Sequence, residues 1–338
     1  MKDILLKLSE SQNLTKEEVR RALEDIVEGR ATDAQIGAFI MGSRMKGETV
    51  EELSACAEFF RERAQKVFVK NPEELLDTCG TGGDRSGTFN VSTVTAFVLA
   101  GAGIKVAKHG NRSVSSKTGS ADFLEALGAK IDLPPEKVST MIEEIGIGFM
   151  FAPMFHPAMK RVIGPRKEVG IKSIFNLVGP LSNPAGARRH LLGVFSDVFV
   201  EKVALTLKSL GVIRAFVVHG KDGIDEISIS APTLVAEVKG DEVSLYEFSP
   251  EDVGIRRFPL EYVTVSSVEE SVKMGLSVLK GEELGAPYYM VLLNAAFGVL
   301  ASGLVDDLKD AIEIAKESIQ SGRAYQKLMQ FVDISQKL

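Results

Sequence analysis

The chain has 338 residues, with 40 lysines and arginines against 46 aspartates and glutamates, and a formal charge of −6. That length suits about two domains or one large α/β unit, and 45% apolar with 25% charged residues excludes an intrinsically disordered chain. A net acidic surface has no bulk attraction for nucleic acid or anionic lipid, so neither nucleic acid nor a membrane is expected as a partner.

The first residues, Met1-Lys2-Asp3-Ile4-Leu5-Leu6-Lys7, turn polar too soon for a signal peptide. The two cysteines, Cys56 and Cys79, form no C-x-x-C unit, and a cytoplasmic protein with reduced thiols is expected. Up to residue 65 the chain reads as helical. Three Thr-x-x-Glu/Gln capping boxes recur, Thr15 with Glu18, Thr32 with Gln35 and Thr49 with Glu52. Gly29 and Gly47 mark the ends of the second and third helices. The stripe Val19, Ala22, Leu23, Ile26, Val27 has helical spacing and must bury against other helices or another subunit. Residues 1–70 are therefore expected as a small all-helical domain.

After Asn71-Pro72 the texture changes to short apolar runs between glycine-rich loops, and residues 71–338 are expected to form a larger α/β domain. Residues 75–79 read as a strand, 92 to about 101 as a helix, 104–107 as a strand and 120–127 as a helix stopped by Gly128. Residues 190–195, 198–210 and 214–219 read as strand, helix and strand, a βαβ unit with parallel strands and a right-handed crossover. Residues 235–238 and 242–246 flank Lys239-Gly240-Asp241 as a hairpin, and the last 70 or so residues return to helix. The apolar stretch 288–305 is close to membrane-spanning length. It contains Asn294, Gly298, Ser302 and Gly303 and ends at Asp306-Asp307, so it reads as a helix buried on all sides.

Three loops carry chemistry. Gly80-Thr81-Gly82-Gly83-Asp84 follows a strand and can turn backbone N–H groups toward an anion. It is not a dinucleotide fingerprint, since position 85 is Arg85, and the chain has no P-loop pattern. A phosphate loop of another kind and a plain tight turn both remain open on spacing alone. Thr88-Phe89-Asn90-Val91-Ser92-Thr93 then places polar side chains where a helix begins, which suits either an anion or an ordinary N-cap. Lys108 to Ser113 and Ser115 to Ser120 supply three cations, a histidine and five hydroxyls with no acid before Asp122. From Arg85 to Lys117 there are five cations and no acid, so the chain is acidic overall and cationic here. Finally, Asp225-Glu226 follows a strand, and adjacent carboxylates can bind a hard cation beside phosphates.

Together these stretches resemble the anthranilate phosphoribosyltransferases. The resemblance runs in order through Asp77 to Asp84, Lys108 to Arg112, Gly119 to Gly128, His156 to Lys160, Ile174 to Pro184 and Gly223 to Glu226. It implies a helical domain plus an α/β domain with a central, mostly parallel sheet flanked by helices. Helices at about 135–145 and 158–169 are expected to rejoin the N-terminal helices, and the protein to be a homodimer through that part.

The implied reaction moves phosphoribosyl from phosphoribosyl pyrophosphate (PRPP) to the amine of anthranilate, in tryptophan biosynthesis. The resemblance implies that PRPP is held by Gly80, Thr81, Gly82, Gly83, Asp84, Thr88, Asn90, Val91, Ser92 and Thr93. Lys108, His109, Gly110, Asn111, Arg112, Ser113, Ser115, Ser116 and Ser120 complete that site. It assigns Gly80, Asn111 and Arg166 to anthranilate, and Ser92, Asp225 and Glu226 to Mg²⁺, two ions per subunit. No general base is evident, and His109 is the one candidate to move a proton. Two positions depart from the family pattern: Lys172-Ser173 stands where Arg-Thr is expected, and Gly164-Pro165 where Pro-Val is expected before Arg166.

Overall fold

The computed structural model describes residues 1–84, 86–113 and 117–338. Four helices open the chain: α1 (Lys2–Ser9), α2 (Lys16–Val27), α3 (Asp33–Lys46) and α4 (Val50–Arg63). Each of the three expected capping boxes is formed, with Thr15, Thr32 and Thr49 accepting from the backbone three residues on. Gly29 and Gly47 follow α2 and α3 at φ +75° and +85°, a backbone region that favours glycine.

There follow β1 (Leu76–Gly80), α5 (Val91–Gly101), β2 (Val106–Gly110), α6 (Ser120–Ala126), α7 (Pro135–Ile145), β3 (Ile147–Phe151), α8 (Ala152–Phe155), α9 (Lys160–Val169) and α10 (Ile174–Leu181). Then come β4 (Arg189–Gly193), α11 (Val200–Ser209), β5 (Arg214–Gly220), the hairpin β6 (Thr233–Lys239) and β7 (Glu242–Phe248), and α12 (Val268–Leu279), α13 (Ala286–Ser302), α14 (Leu308–Gln320) and α15 (Arg323–Lys337). Among the described residues the strands make one sheet in the order β3-β2-β1-β4-β5-β6-β7. The first five are mutually parallel, β6 is antiparallel to β5, and β7 is antiparallel to β6.

The sheet is covered on both faces, and alternation along its strands decides which residue faces which core. Leu191, Phe216, Val218 and Val235 join α5, α6, α7 and α12–α15 on one face. Leu192, Ala215, Val217 and Ala236 join α1–α4 and α9–α11 on the other. Helix α13 is buried around nearly its whole circumference, as its composition requires, and stops at Gly303 in a left-handed conformation. Among the described residues no helix is long and apolar enough to cross a membrane.

Two expectations fail. Helix α9 does pack on α3 and α2, but α7 does not rejoin the N-terminal helices. Its buried Val138, Met141, Ile142 and Ile145 lie in the core with β3 and α15. A one-residue turn at Gly146 ties α7 to β3, and Gly148 brings the two so close that a Cβ there would stand 2.7 Å from Ile142. The second strand also runs later than expected, over Val106–Gly110 rather than 104–107. Lys108 and His109 are thus buried strand residues, not members of an open loop. Their polarity hides the strand from a reading based on apolar runs. The sequence reading also assigns no element to β3 or α10.

Candidate active site

The strand order reverses between β1 and β4: the chain continues from β1 to β2 and β3 on one side, and from β4 to β5 on the other. In open α/β sheets, ligands bind in the crevice beyond such a switch point, at the strands' C-terminal ends. Both strands end here in glycine, and Gly80 and Gly193 are register partners. The reason is the loop carrying Asp225, which lies across them. A Cβ on Gly80 would be 2.5 Å from the Asp225 carboxylate, and one on Gly193 would be 1.6 Å from its carbonyl oxygen.

The Gly82 N–H donates to Asp225 Oδ2 at 2.8 Å, and the Thr81 hydroxyl accepts from the Phe195 N–H at 3.0 Å. Gly82 and Gly83 are both left-handed, at φ +65° and +79°. Two successive residues in this region turn the chain tightly, and the N–H groups of Gly83 and Asp84 have no partner among the described residues and remain available to an anion. Behind the acid loop, buried Asn294 of α13 exchanges two 3.0 Å hydrogen bonds with the backbone of Ile227 and fixes the loop's height.

Lys108 crosses from β2 beneath this crevice. Its Nζ donates to the Thr78 carbonyl at 2.6 Å and to the Ser92 hydroxyl at 3.3 Å, which places a buried cation beside the start of α5. The other residues there are engaged by the protein itself. Asn90 Oδ1 accepts from the Thr118 and Ser271 hydroxyls, each at 2.8 Å. Thr88 bridges to Thr264, the Val91 N–H donates to Phe89, and the Thr93 N–H donates to Asn90. The Val91 and Thr93 side chains are buried. The helix start therefore offers fewer free N–H groups than the sequence suggests.

In the second loop, Gly110 admits Ser120, whose hydroxyl lies 3.2 Å from both the N–H and the carbonyl of Asn111. Asp122 Oδ2 accepts from the Ser113 and Gly119 N–H groups at 3.0 and 2.9 Å and pins both ends of the loop. Arg112 is turned onto Asp122 and Glu125 rather than into the crevice. Ser115 and Ser116 lie outside the described residues.

Three acids gather at the crevice. Burial and the Asp84 carboxylate push Asp225 up to about 7, against the Gly82 N–H that favours its charge. Burial and Asp225 raise Glu226 well above the usual range, with Lys108 opposing. Carboxylates that repel in this way gain from a cation. Among the described residues no three His, Cys, Asp or Glu side chains converge into a metal cage. The donor set, two carboxylates and the Ser92 hydroxyl, fits Mg²⁺, which takes few protein oxygens and completes its shell with water and substrate phosphates.

Arg166 stands on α9, held below its usual value by burial, with no carboxylate partner among the described residues. His109 and His156 pack with ring centroids 4.9 Å apart. Burial depresses His109 to about 3, helped by His156, and His156 to about 4, helped by Lys66, so both are neutral at pH 7. Both rings approach backbone groups, His109 that of Gly179 and His156 that of Ser182, but no hydrogen bond of good geometry reaches His109 Nε2 or His156 among the described residues.

Residues 2–64 match the helical bundle domain of the glycosyl transferase family, and residues 72–325 match its a/b domain. An anthranilate phosphoribosyltransferase of Aquifex aeolicus (strain VF5) is 61% identical over 338 residues, 100% of this chain and 99% of that protein. The chain belongs to the anthranilate phosphoribosyltransferase family. The crystal structure of the anthranilate phosphoribosyltransferase from Thermus thermophilus is 40% identical, with a TM-score of 0.93 over 99% of both chains. A solved structure of the Saccharomyces cerevisiae anthranilate phosphoribosyltransferase, in complex with PRPP and Mg, is 27% identical, with a TM-score of 0.90 over 99% of this chain and 98% of that one.

Within this anthranilate phosphoribosyltransferase fold, four residues that shape the site have no role in the sequence reading: Asp77, Asn183, Asp122 and Asn294. Asp77 and Asn183 stand inside the motifs that carry the resemblance, so their place was visible and their contacts were not. Asp122 follows its loop as the first acid after a cationic run, which was the available signal. Asn294 is a lone polar residue in an apolar helix, and it needed a partner from somewhere.

Proposed function

We propose that the chain carries out its family's reaction at this crevice: phosphoribosyl passes from PRPP to the amine of anthranilate, giving N-(5-phosphoribosyl)anthranilate and pyrophosphate, in tryptophan biosynthesis. One observation carries the site assignment. The Asp225-Glu226 loop lies over the glycine ends of β1 and β4, beside unpartnered N–H groups and the buried Lys108 ammonium. That combination suits a polyphosphate with its cation.

The C1–O bond to pyrophosphate breaks as the ribose carbon becomes oxocarbenium-like, and negative charge collects on the leaving oxygens. Gly83 and Asp84 N–H groups and Lys108 would meet that charge. Ser92, Asp225 and Glu226 would hold magnesium, two ions in our reading, which when bound neutralises pyrophosphate charge. Arg166 would pair with the anthranilate carboxylate, with Asn111 and Gly80 beside the ring. The aryl amine is neutral at pH 7, so its lone pair needs positioning rather than a base. His109 would take the proton shed after attack only against the burial that disfavours its charged form, so release to solvent is the simpler route.

Leu6 on α1 and Met41 and Met45 on α3 expose apolar surface, Met45 at 80%, which supports a homodimer through these helices. The unpaired, buried Cys56 and Cys79 suit a cytoplasmic protein. The deciding experiment is turnover of PRPP with anthranilate, followed by loss of anthranilate fluorescence with and without EDTA. Metal-dependent loss is expected. Inactivity with PRPP but phosphorolysis of a pyrimidine nucleoside would overturn the reading.

A further inference from the structure

Strands β1 and β2 are neighbours, yet their register pairing stops after Leu76↔Val106. On its other side β1 pairs with β4 over five consecutive residues, and β2 pairs with β3 over five. A continued parallel ladder would next bring Thr78 opposite Lys108, with the His109 N–H donating to the Thr78 carbonyl. It does not. The His109 N–H donates instead to Asp77 Oδ1 at 3.1 Å, and the freed Thr78 carbonyl accepts from Lys108 Nζ at 2.6 Å. Asn183 completes the seam by donating to Asp77 Oδ2 at 2.8 Å and to the Ala107 carbonyl at 2.9 Å. Asp77, Thr78, Lys108 and Asn183 are all buried.

We infer that Asp77 is a positioning residue for PRPP turnover: its carboxylate takes the His109 amide out of the ladder, which frees the Thr78 carbonyl as a seat for the Lys108 ammonium, and its charge holds the ammonium there under the crevice. The inference rests on the reading of Lys108 as a PRPP residue. Burial works against the charged lysine, and Asp77 is the counter-charge that most favours it. The Asn183 amide keeps that carboxylate from rotating away. A strand pair closed to its end would leave the Thr78 carbonyl occupied and send the lysine side chain elsewhere. Side chains answer three of the groups that the ladder gives up: the His109 N–H and the Thr78 and Ala107 carbonyls.

The test is a double-mutant cycle with Asp77→Asn, Lys108→Met and the pair, measured as steady-state kinetics with each substrate varied. Asp77→Asn keeps the side chain's size and an acceptor for the His109 amide but removes the charge. It is expected to lower kcat/KM for PRPP about tenfold, with the anthranilate KM held within about twofold, and to have almost no further effect in the Lys108→Met background. Multiplicative losses, or equal losses for both substrates, overturn the inference, because a merely structural role acts independently of Lys108. If Lys108→Met is impaired and Asp77→Asn is not, only the positioning role falls. If Lys108→Met leaves PRPP kinetics intact, the site reading falls with it. Should Asp77→Asn not accumulate folded, Asn183→Ala enters the same cycle. It leaves the charge in place but loosens it, and a smaller loss confined to PRPP is expected.

Discussion

At the end of the sheet where the parallel strands begin, the long cationic side chains have found their partners. Arg214 pairs with Glu237 at 2.9 Å and Asp306 at 2.7 Å, Arg189 donates to the Glu73 and Ala301 carbonyls, and Lys105 lies 3.5 Å from Glu143. At the other end, 5 to 7 residues along the same strands, Asp84, Asp225 and Glu226 crowd together, and the latter two are pushed upward in their affinity for protons. The N–H groups of Gly83 and Asp84 there have no protein partner among the described residues. The cations at one end are answered by the protein itself, whereas the groups at the other would be answered by the phosphate and cation of our reading. Local dissatisfaction of this kind marks the place where a fold has been held open for a ligand.

The largest effect should come from breaking the incomplete end. Asp225→Asn with Glu226→Gln removes the repulsion, so the folded protein should be no less stable. Magnesium-dependent turnover should nonetheless fall by about a hundredfold or more, since the cation loses its carboxylates. Thermal unfolding and a magnesium titration of the rate check both halves. Unchanged magnesium dependence in the double variant would count against metal ligation.

Next in size is Arg166→Ala. Arg166 has no carboxylate partner among the described residues, so the anthranilate KM should rise by roughly ten- to fiftyfold while PRPP affinity stays nearly intact. Equal loss of affinity for both substrates would refute that assignment.

How much of this contrast could be read from the sequence differs by element. The capping boxes at Thr15, Thr32 and Thr49 are local chemistry and formed as read. The glycine loop and Asp225-Glu226 were also legible as loops at strand ends, and the structure brings them together at one crevice. The β1–β2 seam was not. Lys108 and His109 looked like loop residues because their polarity is answered from Thr78 and Asp77, some thirty residues away. Helix α7 was misplaced for a similar reason. Its amphipathic stripe says that one face is buried, not against which core, and the turn at Gly146 that settles the matter is a single residue.

His190 tests the complete end by pH. It is fully buried in β4 with Nε2 3.0 Å from the Ala187 carbonyl, and burial, with Arg61 nearby, depresses it to about 3. The unfolded chain takes up this proton below about 6.5 while the folded chain refuses it, so the contribution is whole above 6.5 and is lost as pH falls toward 3. His190→Gln should be less stable than wild type at pH 7, and that gap should narrow by roughly 2 to 3 kcal/mol at pH 4.5. Urea unfolding at both pH values measures it, and a constant gap would mean that the ring titrates in the folded protein as it does in the unfolded chain.

The smallest effect is expected at Arg214. Its side chain is 8% exposed, but Glu237 and Asp306 are 21% and 73% exposed and can recover water when the guanidinium leaves. Arg214→Met keeps an apolar stem against Phe216, over which the guanidinium sits at 5.5 Å. The cost should therefore be nearer that of a surface pair than a buried one, about 1 kcal/mol, and smaller still at high salt. Both KM values and kcat should stay within about twofold of wild type, because the ion pairs at this end answer one another and nothing in the crevice depends on them. If Arg214→Met instead impaired turnover as Arg166→Ala does, the two ends would be coupled through β5, and the self-sufficiency of the strand beginnings would have to be given up.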